Sequence, residues 1–257
     1  MSNDRSIIEK TAGGMMKMLT ESGAVDMLIS QAKRMMWSMV EYKEMQMLYT
    51  CAMKEIQTKF EVLDCEFKLK YKRNPISSIS SRLKRTESLV EKMARRGYSF
   101  SLESIEKNIN DIAGVRVICP YVDDIYLIAD SLLAQDDVTL VARKDYIENP
   151  KPNGYRSLHL IVSIPVFLSE TKKNVKVEVQ IRTIAMDYWA SLEHQMKYKK
   201  DIPDAEIVSR ELKECADRIA ETDEKMLSLR RRIEAAEDIP TEEDELMERL
   251  RRLDLPI

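Results

Sequence analysis

The sequence predicts an α+β protein, a mixed sheet of about five strands flanked by helices with a long helix at each end. Three observations carry this. Short β-rich runs and amphipathic stretches follow one another without the regular strand–helix repeat of a parallel α/β fold. Glycine is sparse, at 6 in 257 residues, and charged residues reach 33%, a balance that favours helix. Both ends carry apolar residues stepping by three and four. An apolar content of 44% is enough to bury one core, and the chain divides into an N-terminal helical extension (1–73), a central domain (74–200) and a C-terminal heptad helix with its tail (201–257).

The N-terminal region is Met-rich. Met53, Ile56, Phe60, Leu63 and Phe67 form one helical stripe, and Met35, Met36, Trp37, Met39 and Met45 suit packing on a neighbouring helix or subunit. The first dozen residues read as loose. Ser81 to Lys92 reads as a helix start with serine as a capping residue, in which Ser88 and Lys92 share a face. Arg82 and Lys84 join that face only if they lie on an extended lead-in. Helices are expected at Leu102–Asn108, Val122–Ala134 and Ala185–Lys199, and strands near Val115–Cys119, Thr139–Arg143, Leu158–Ile164 and Val175–Arg182. Leu212, Cys215, Ile219, Thr222, Met226, Leu229, Ile233 and Ala236 form a heptad seam that packs within the chain or joins subunits. Asp238-Ile239-Pro240 ends that helix, and residues 242–252 suggest a short further one.

The chemistry concentrates between Lys151 and His194. Successive strand residues point to opposite faces, so Val175, Val177, Val179 and Ile181 take one side and Lys176, Glu178, Gln180 and Arg182 the other. Such a strand is half buried and holds a carboxylate between cations. Before it, Asn149 to Ser157 is rich in turn formers and carries Lys151, Tyr155 and Arg156. Lysine and arginine hold phosphate oxygens, a tyrosine ring offers a stacking face, and Gly154 permits a positive φ. His159 opens the next strand. A lone histidine is commonly a satisfied structural residue, but beside a phosphate-ready loop it becomes a candidate. Upstream, Asp111 opens a β run ending at Cys119. Strict alternation puts Asp111 and Arg116 on opposite faces unless Gly114 hosts a bulge or Asp111 sits in the preceding loop.

Four segments, SRLKRTESLVEKM, NDIAGVRVICPYVDDIY, RKDYIENPKPNGYRSLHL and VEVQIRTIAMDYWASLEH, closely resemble in order and spacing the synthetase domain of the RelA/SpoT proteins, most of all the small single-domain alarmone synthetases. The resemblance covers roughly Asn74 to Lys199, about half the chain. It implies a nucleotidyltransferase-like sheet and Mg²⁺-dependent transfer of the β,γ-pyrophosphate of ATP to the ribose 3′-hydroxyl of GDP or GTP, with GMP a further candidate acceptor. It assigns Arg82, Lys84, Ser88, Lys92 and Arg116 to ATP, with Arg82 and Lys84 counted among the catalytic residues. Asp111 and Glu178 become the metal ligands, and Glu178 also takes the hydroxyl proton. Lys144, Lys151, Tyr155, His159 and Gln180 form the guanine-nucleotide side, with Tyr155 stacking on the base. Arg182, Asp187 and Glu193 match further motif positions. It also implies a homo-oligomer, a tetramer in small relatives. Ser78 departs from the family, because product-responsive relatives carry a phenylalanine there to line a regulatory cleft.

The chemistry is coherent without the resemblance. Joining two polyanionic nucleotides needs charge neutralisation on both and a metal to bridge phosphates, and Mg²⁺ takes one or two carboxylates plus substrate oxygens. A net charge of −3 argues against bulk nucleic-acid binding. The cysteines form no CxxC pair, and with 2 histidines in the chain a zinc site is not expected. No targeting pattern or membrane-length apolar run is visible, which with scattered cysteines suggests a cytoplasmic protein. No His-Asp pair is present and both histidines lie in the synthetase stretch, so alarmone hydrolysis is not expected. The competing readings are a catalytically weak nucleotide-binding regulatory protein of the same fold and a different nucleotidyltransferase. Retention of both Asp111 and Glu178 argues against the first.

Overall fold

The computed structural model describes residues 39–69, 73–99, 101–197 and 205–237. Its elements are α1 (39–69), β1 (Ser78–Leu83), α2 (Thr86–Arg96), α3 (Leu102–Asn108), β2 (Ala113–Cys119), α4 (Val122–Leu133), β3 (Thr139–Asp145), β4 (Leu158–Phe167), β5 (Lys172–Thr183), α5 (Ile184–Lys197) and α6 (Ala205–Glu237). The strands form one five-stranded mixed sheet in the order β1-β2-β5-β4-β3. Only β2 and β5 run parallel. The β1–β2, β4–β5 and β3–β4 pairs are antiparallel. The α+β expectation therefore holds.

The middle strand follows its alternation. Val175, Val177, Val179 and Ile181 are buried, while Lys176, Glu178 and Gln180 are half-buried on the opposite face. The apolar face joins a core cluster that includes Ile56, Phe60 and Phe67 of α1 and Ile125, Ile128 and Leu132 of α4. The N-terminal stripe is thus a core stripe: Ile56 and Phe60 are fully buried and Met45 nearly so, whereas Met39 is exposed. Met35, Met36 and Trp37 lie outside the described residues. So does the expected helix at 242–252.

One expectation needs correction, and one left open is decided. Ser81 does not cap a helix. It belongs to β1, the strand missing from those expected, and its hydroxyl donates to Gln57 Oε1 of α1 at 2.6 Å. The helix begins at Thr86 behind Arg85, with no capping side chain, so the extended lead-in for Arg82 and Lys84 is real. The physical reason is the antiparallel ladder with β2, which recruits six residues whose own alternation is weak. Gly114, in turn, carries no bulge. The β1–β2 register runs unbroken through it, and Asp111 lies in the loop before β2.

The heptad seam of α6 divides between two environments. Its inward face is made by Leu212, Ala216, Ile219, Asp223, Leu227 and Arg230, whereas Met226, Leu229 and Ile233 are 40–60% exposed among the described residues. Polar ties set this rotation. Trp189 Nε1 of α5 donates to the Leu212 carbonyl at 2.9 Å, and the Thr183 hydroxyl donates to the Asp223 carboxylate at 2.6 Å. Arg230 pairs with Asp123 at the start of α4. Beside it Arg73 forks onto the buried Asp124 at 2.7 and 2.8 Å, and both guanidinium groups lie over the Tyr121 ring. Hydrophobic periodicity carries no information about such ties.

Burial pushes the Asp223 carboxyl above its ordinary pKa, and the Thr183 hydrogen bond only partly opposes this. A raised folded pKa means that the bound proton stabilises the fold at acidic pH, and that this contribution is lost as the pH rises through the folded value. Asp223→Asn keeps an acceptor for Thr183 and removes the buried charge. At neutral pH the variant is expected to match or exceed the parent in stability, and the gain should shrink as the pH falls toward the usual carboxylate range. Thermal melts across pH check this. A variant markedly less stable at neutral pH would contradict it.

Candidate active site

The polar face of the sheet is organised in rows across the strands. Ser80, Arg116, Gln180, His159 and Lys144 are successive partners from β1 to β3. The adjacent row places Gly114 between Arg82 and Glu178. With no side chain at Gly114, the space between that arginine and that carboxylate stays open as part of a groove. One lobe of the groove is lined by Arg82, Lys84, Asp111, Arg116, Glu178 and Gln180. A second lobe shares Arg82, Arg116 and Gln180 and continues past Tyr155, Arg182 and Glu193.

Glu178 is where the polar contacts converge. Its Oε1 lies 3.4 Å from His159 Nδ1, and its Oε2 accepts from Gln180 Nε2 at 2.9 Å. Gln180 Oε1 accepts from Arg182 Nη2 at 2.6 Å. The same guanidinium nitrogen donates to the Tyr155 hydroxyl at 3.4 Å, and that hydroxyl is 2.8 Å from His159 Nε2. These five side chains form a closed ring. A carboxylate only accepts, so Nδ1 donates to it, which in a neutral imidazole leaves Nε2 to accept from the tyrosine. Both arms of the ring therefore carry donors from Arg182 toward Glu178. Burial alone would raise the Glu178 pKa, but the bonds from His159 and Gln180 outweigh it and hold the carboxyl below its usual value. Arg182 is buried at 3% exposure, and burial together with neighbouring Arg116 and Arg82 lowers its pKa.

Asp111 is held differently. Lys84 Nζ lies 3.0 Å from one of its oxygens and Lys92 Nζ 2.8 Å from the other. Burial would raise its pKa, and these two ammonium groups more than reverse that. Arg116 and Arg182 share Asp187, at 3.3 and 3.4 Å. Asp111 and Glu178 line the same lobe, and the Asp111 charge works against ionisation of Glu178. Among the described residues no group of three or more His, Cys, Asp or Glu side chains could hold a metal. Two carboxylates lining one open lobe would nonetheless suit Mg²⁺, with substrate oxygens completing its shell.

On the other side stands an aromatic cluster. Tyr146, Tyr155 and His159 pack edge to face with centroids 5.3–6.0 Å apart, and Lys151 Nζ lies 4.5 Å from the Tyr146 ring and 4.4 Å from the Tyr155 ring. A base stacking on the Tyr155 face beneath this ammonium would take its place. The sequence reading missed Tyr146, although its position nine residues before Tyr155 in an aromatic-poor chain was a usable signal. It also offered Arg156 to phosphate. That side chain instead bonds the carbonyls of Gly154 and Ala216, at 3.2 and 3.3 Å, and the Asp217 carboxylate at 3.1 Å. Glu193 accepts from Asn153 at 3.0 Å, tying the loop to α5. Ser88 and Lys144 are exposed at the margins, on α2 and β3.

Residues 81–203 match the model of the region found in RelA / SpoT proteins. The chain is 41% identical over 212 residues to the GTP pyrophosphokinase YwaC of Bacillus subtilis, covering 82% of this chain and 100% of that protein. Small alarmone synthetase 1 of the same organism bound to its product pppGpp superposes with a TM-score of 0.69 at 34% identity, covering 75% of this chain and 98% of the other. The same enzyme bound to AMPCPP gives 0.64 at 32%, with coverages of 76% and 98%.

Gly154 has φ +88°, and a Cβ placed on it would lie 2.6 Å from the Ala216 Cβ. Gly154→Ala is therefore expected to destabilise by the left-handed strain, about 1–2 kcal/mol, plus the cost of that collision. A thermal melt checks this, and an unchanged midpoint would show that the loop relaxes without penalty.

In sequence, fold and sheet architecture alike, the chain belongs to the RelA/SpoT family, among its small alarmone synthetases.

Proposed function

We propose that this chain is a GTP pyrophosphokinase that transfers the β,γ-pyrophosphate of ATP to the ribose 3′-hydroxyl of GDP or GTP, depends on Mg²⁺ and does not hydrolyse its product. The observation that carries the reading is the Glu178 ring, set at the junction of the two lobes. One lobe gathers Arg82, Lys84 and Arg116, with Lys92 behind Asp111, as cations suited to a triphosphate. The other leads to Tyr155 and Lys151, an aromatic face and a cation suited to a purine nucleotide.

The residues account for the reaction as follows. The 3′-hydroxyl gives its proton to Glu178 while its oxygen bonds the β-phosphorus of ATP. The bond from that phosphorus to the α,β-bridging oxygen breaks, and AMP leaves with the electron pair. Glu178 is ionised at neutral pH because His159 and Gln180 both donate to it, so it is always ready to accept. Its low pKa makes it a weak base, and most of the acceleration must come from charge neutralisation and alignment. Asp111 and Glu178 would hold Mg²⁺, which when bound offsets phosphate charge. Lys84 and Lys92, now paired with Asp111, are placed to turn toward phosphate oxygens.

The segments 74–200 and 201–257 act in this reading as catalytic domain and appended helix, in a cytoplasmic homo-oligomer. Supporting the oligomer is the apolar stripe Met226, Leu229 and Ile233, open to solvent among the described residues. Met226→Asp with Ile233→Asp puts charges on that stripe without touching the groove. Light scattering should then report smaller particles with an unchanged melting temperature, and an unchanged mass would remove the stripe from the assembly.

Glu178→Gln tests the central assignment. The substitution keeps the shape and removes the charge, so turnover should fall by at least about 10²–10³-fold, while binding of AMPCPP in the absence of metal stays close to normal. Near-normal turnover at saturating Mg²⁺ would overturn the role given to Glu178.

A further inference from the structure

We infer that α6 positions the acceptor-nucleotide loop, with Ala216 and Asp217 as positioning residues that set affinity for the guanine nucleotide and leave ATP binding alone. This rests on the reading above that Lys151 and Tyr155 hold that nucleotide.

The loop between β3 and β4 is anchored to the sheet and to α5: the Tyr155 hydroxyl meets His159 and Arg182, the Ser157 hydroxyl donates to the Ile181 carbonyl, and Asn153 donates to Glu193. Lys151 and Tyr155 close a small turn, the Lys151 N–H donating to the Tyr155 carbonyl at 3.2 Å and the Gly154 N–H to the Lys151 carbonyl at 2.8 Å. The backbone on either side of Tyr155 is, in addition, fastened to α6. The Gly154 backbone rests against the buried Ala216 methyl so closely that one added carbon would overlap it. Two residues on, the Arg156 guanidinium reaches the same turn of helix, bonding the Ala216 carbonyl and Asp217 Oδ1. Asp217 is itself held by Lys213 at 2.7 Å. Tyr155 lies between these two fastened residues, so α6 holds the backbone that carries its ring, while the ring itself is oriented by Tyr146, His159 and Arg182.

The helix in turn is fixed at several points along its length, by Trp189 on the Leu212 carbonyl, Thr183 on Asp223, and the Asp123 pair with Arg230. No α6 residue lines either lobe of the groove. All of α6 lies beyond residues 81–203, the stretch that matches the family region. Part of what aims the loop thus comes from outside the segment that carries the chemistry. A chain with the same motifs and another helix in this place would hold its acceptor differently.

The test uses the full chain and equilibrium binding of GDP and of AMPCPP, each alone, by calorimetry beside a thermal melt. Asp217→Ala leaves a good helix former at a surface position and should weaken GDP by about fivefold. Ala216→Leu pushes on Gly154 and should weaken it by about tenfold or more. AMPCPP affinity should stay within about twofold for both. Exchanging the charges, Arg156→Asp with Asp217→Arg, should recover part of the GDP affinity that either change alone loses. Unchanged GDP affinity in folded variants overturns the inference. So does a parallel loss for both nucleotides with a lowered melting temperature, which would make α6 a structural support only. If the unmutated chain binds AMPCPP but no GDP, the reading of the loop itself fails, and this inference falls with it.

Discussion

The structure depends on the pairing of β5 between β2 and β4. A strand in the middle of a sheet cannot slip by one residue without turning its whole apolar set to the wrong face. Here that set is Val175, Val177, Val179 and Ile181, all buried in the core shared with α1 and α4. The register that satisfies the core simultaneously fixes Glu178, Gln180 and Arg182 on the other side. Packing energy on one face thereby positions the polar groups on the other to within hydrogen-bonding distance, and no separate device is needed for the placement.

Electrostatics then separates the two carboxylates. Glu178 receives donors from neutral or shared partners along a closed ring, so its charge is stabilised in place and stays available to the groove. Asp111 is compensated by Lys84 and Lys92, ammonium groups on flexible stems that come from the lead-in to α2 and from α2 itself. Flexible cations can exchange one anionic partner for another at small cost, which suits the triphosphate proposed for this site. Arg182, buried and forked between Gln180 and Tyr155, has no such freedom. It links the carboxylate to the aromatic cluster, so Tyr155 and Glu178 belong to one hydrogen-bonded unit.

Much of this was legible in the residues. The period-two alternation of β5 named its faces correctly, because a half-buried strand writes its environment directly into sequence. The α1 stripe was legible for the same reason at helical spacing. The motif resemblance put Asp111, as a metal ligand, and the two lysines, as ATP ligands, into one site, which no local pattern in the chain connects. What escaped had nonlocal causes. β1 exists because β2 offers it a ladder. Arg156 looked like a phosphate ligand because its true partner, Asp217, is 61 residues away. The α6 seam read as one apolar face, but three polar ties to α4, α5 and the end of β5 rotate it so that Met226, Leu229 and Ile233 face outward. Tyr146 was passed over because its contribution is a contact with Tyr155 and Lys151 that only the folded loop creates.

The account claims that one face of β5 brings two nucleotides to a single carboxylate for transfer of an intact pyrophosphate. The direct measurement is ³¹P NMR of the products formed by the purified chain from ATP and GDP with Mg²⁺. The account predicts AMP and, in equal amount, a guanine nucleotide carrying a new diphosphate ester on the ribose 3′-oxygen. ADP with a singly phosphorylated acceptor, or extension of the 5′ phosphate chain, would contradict it.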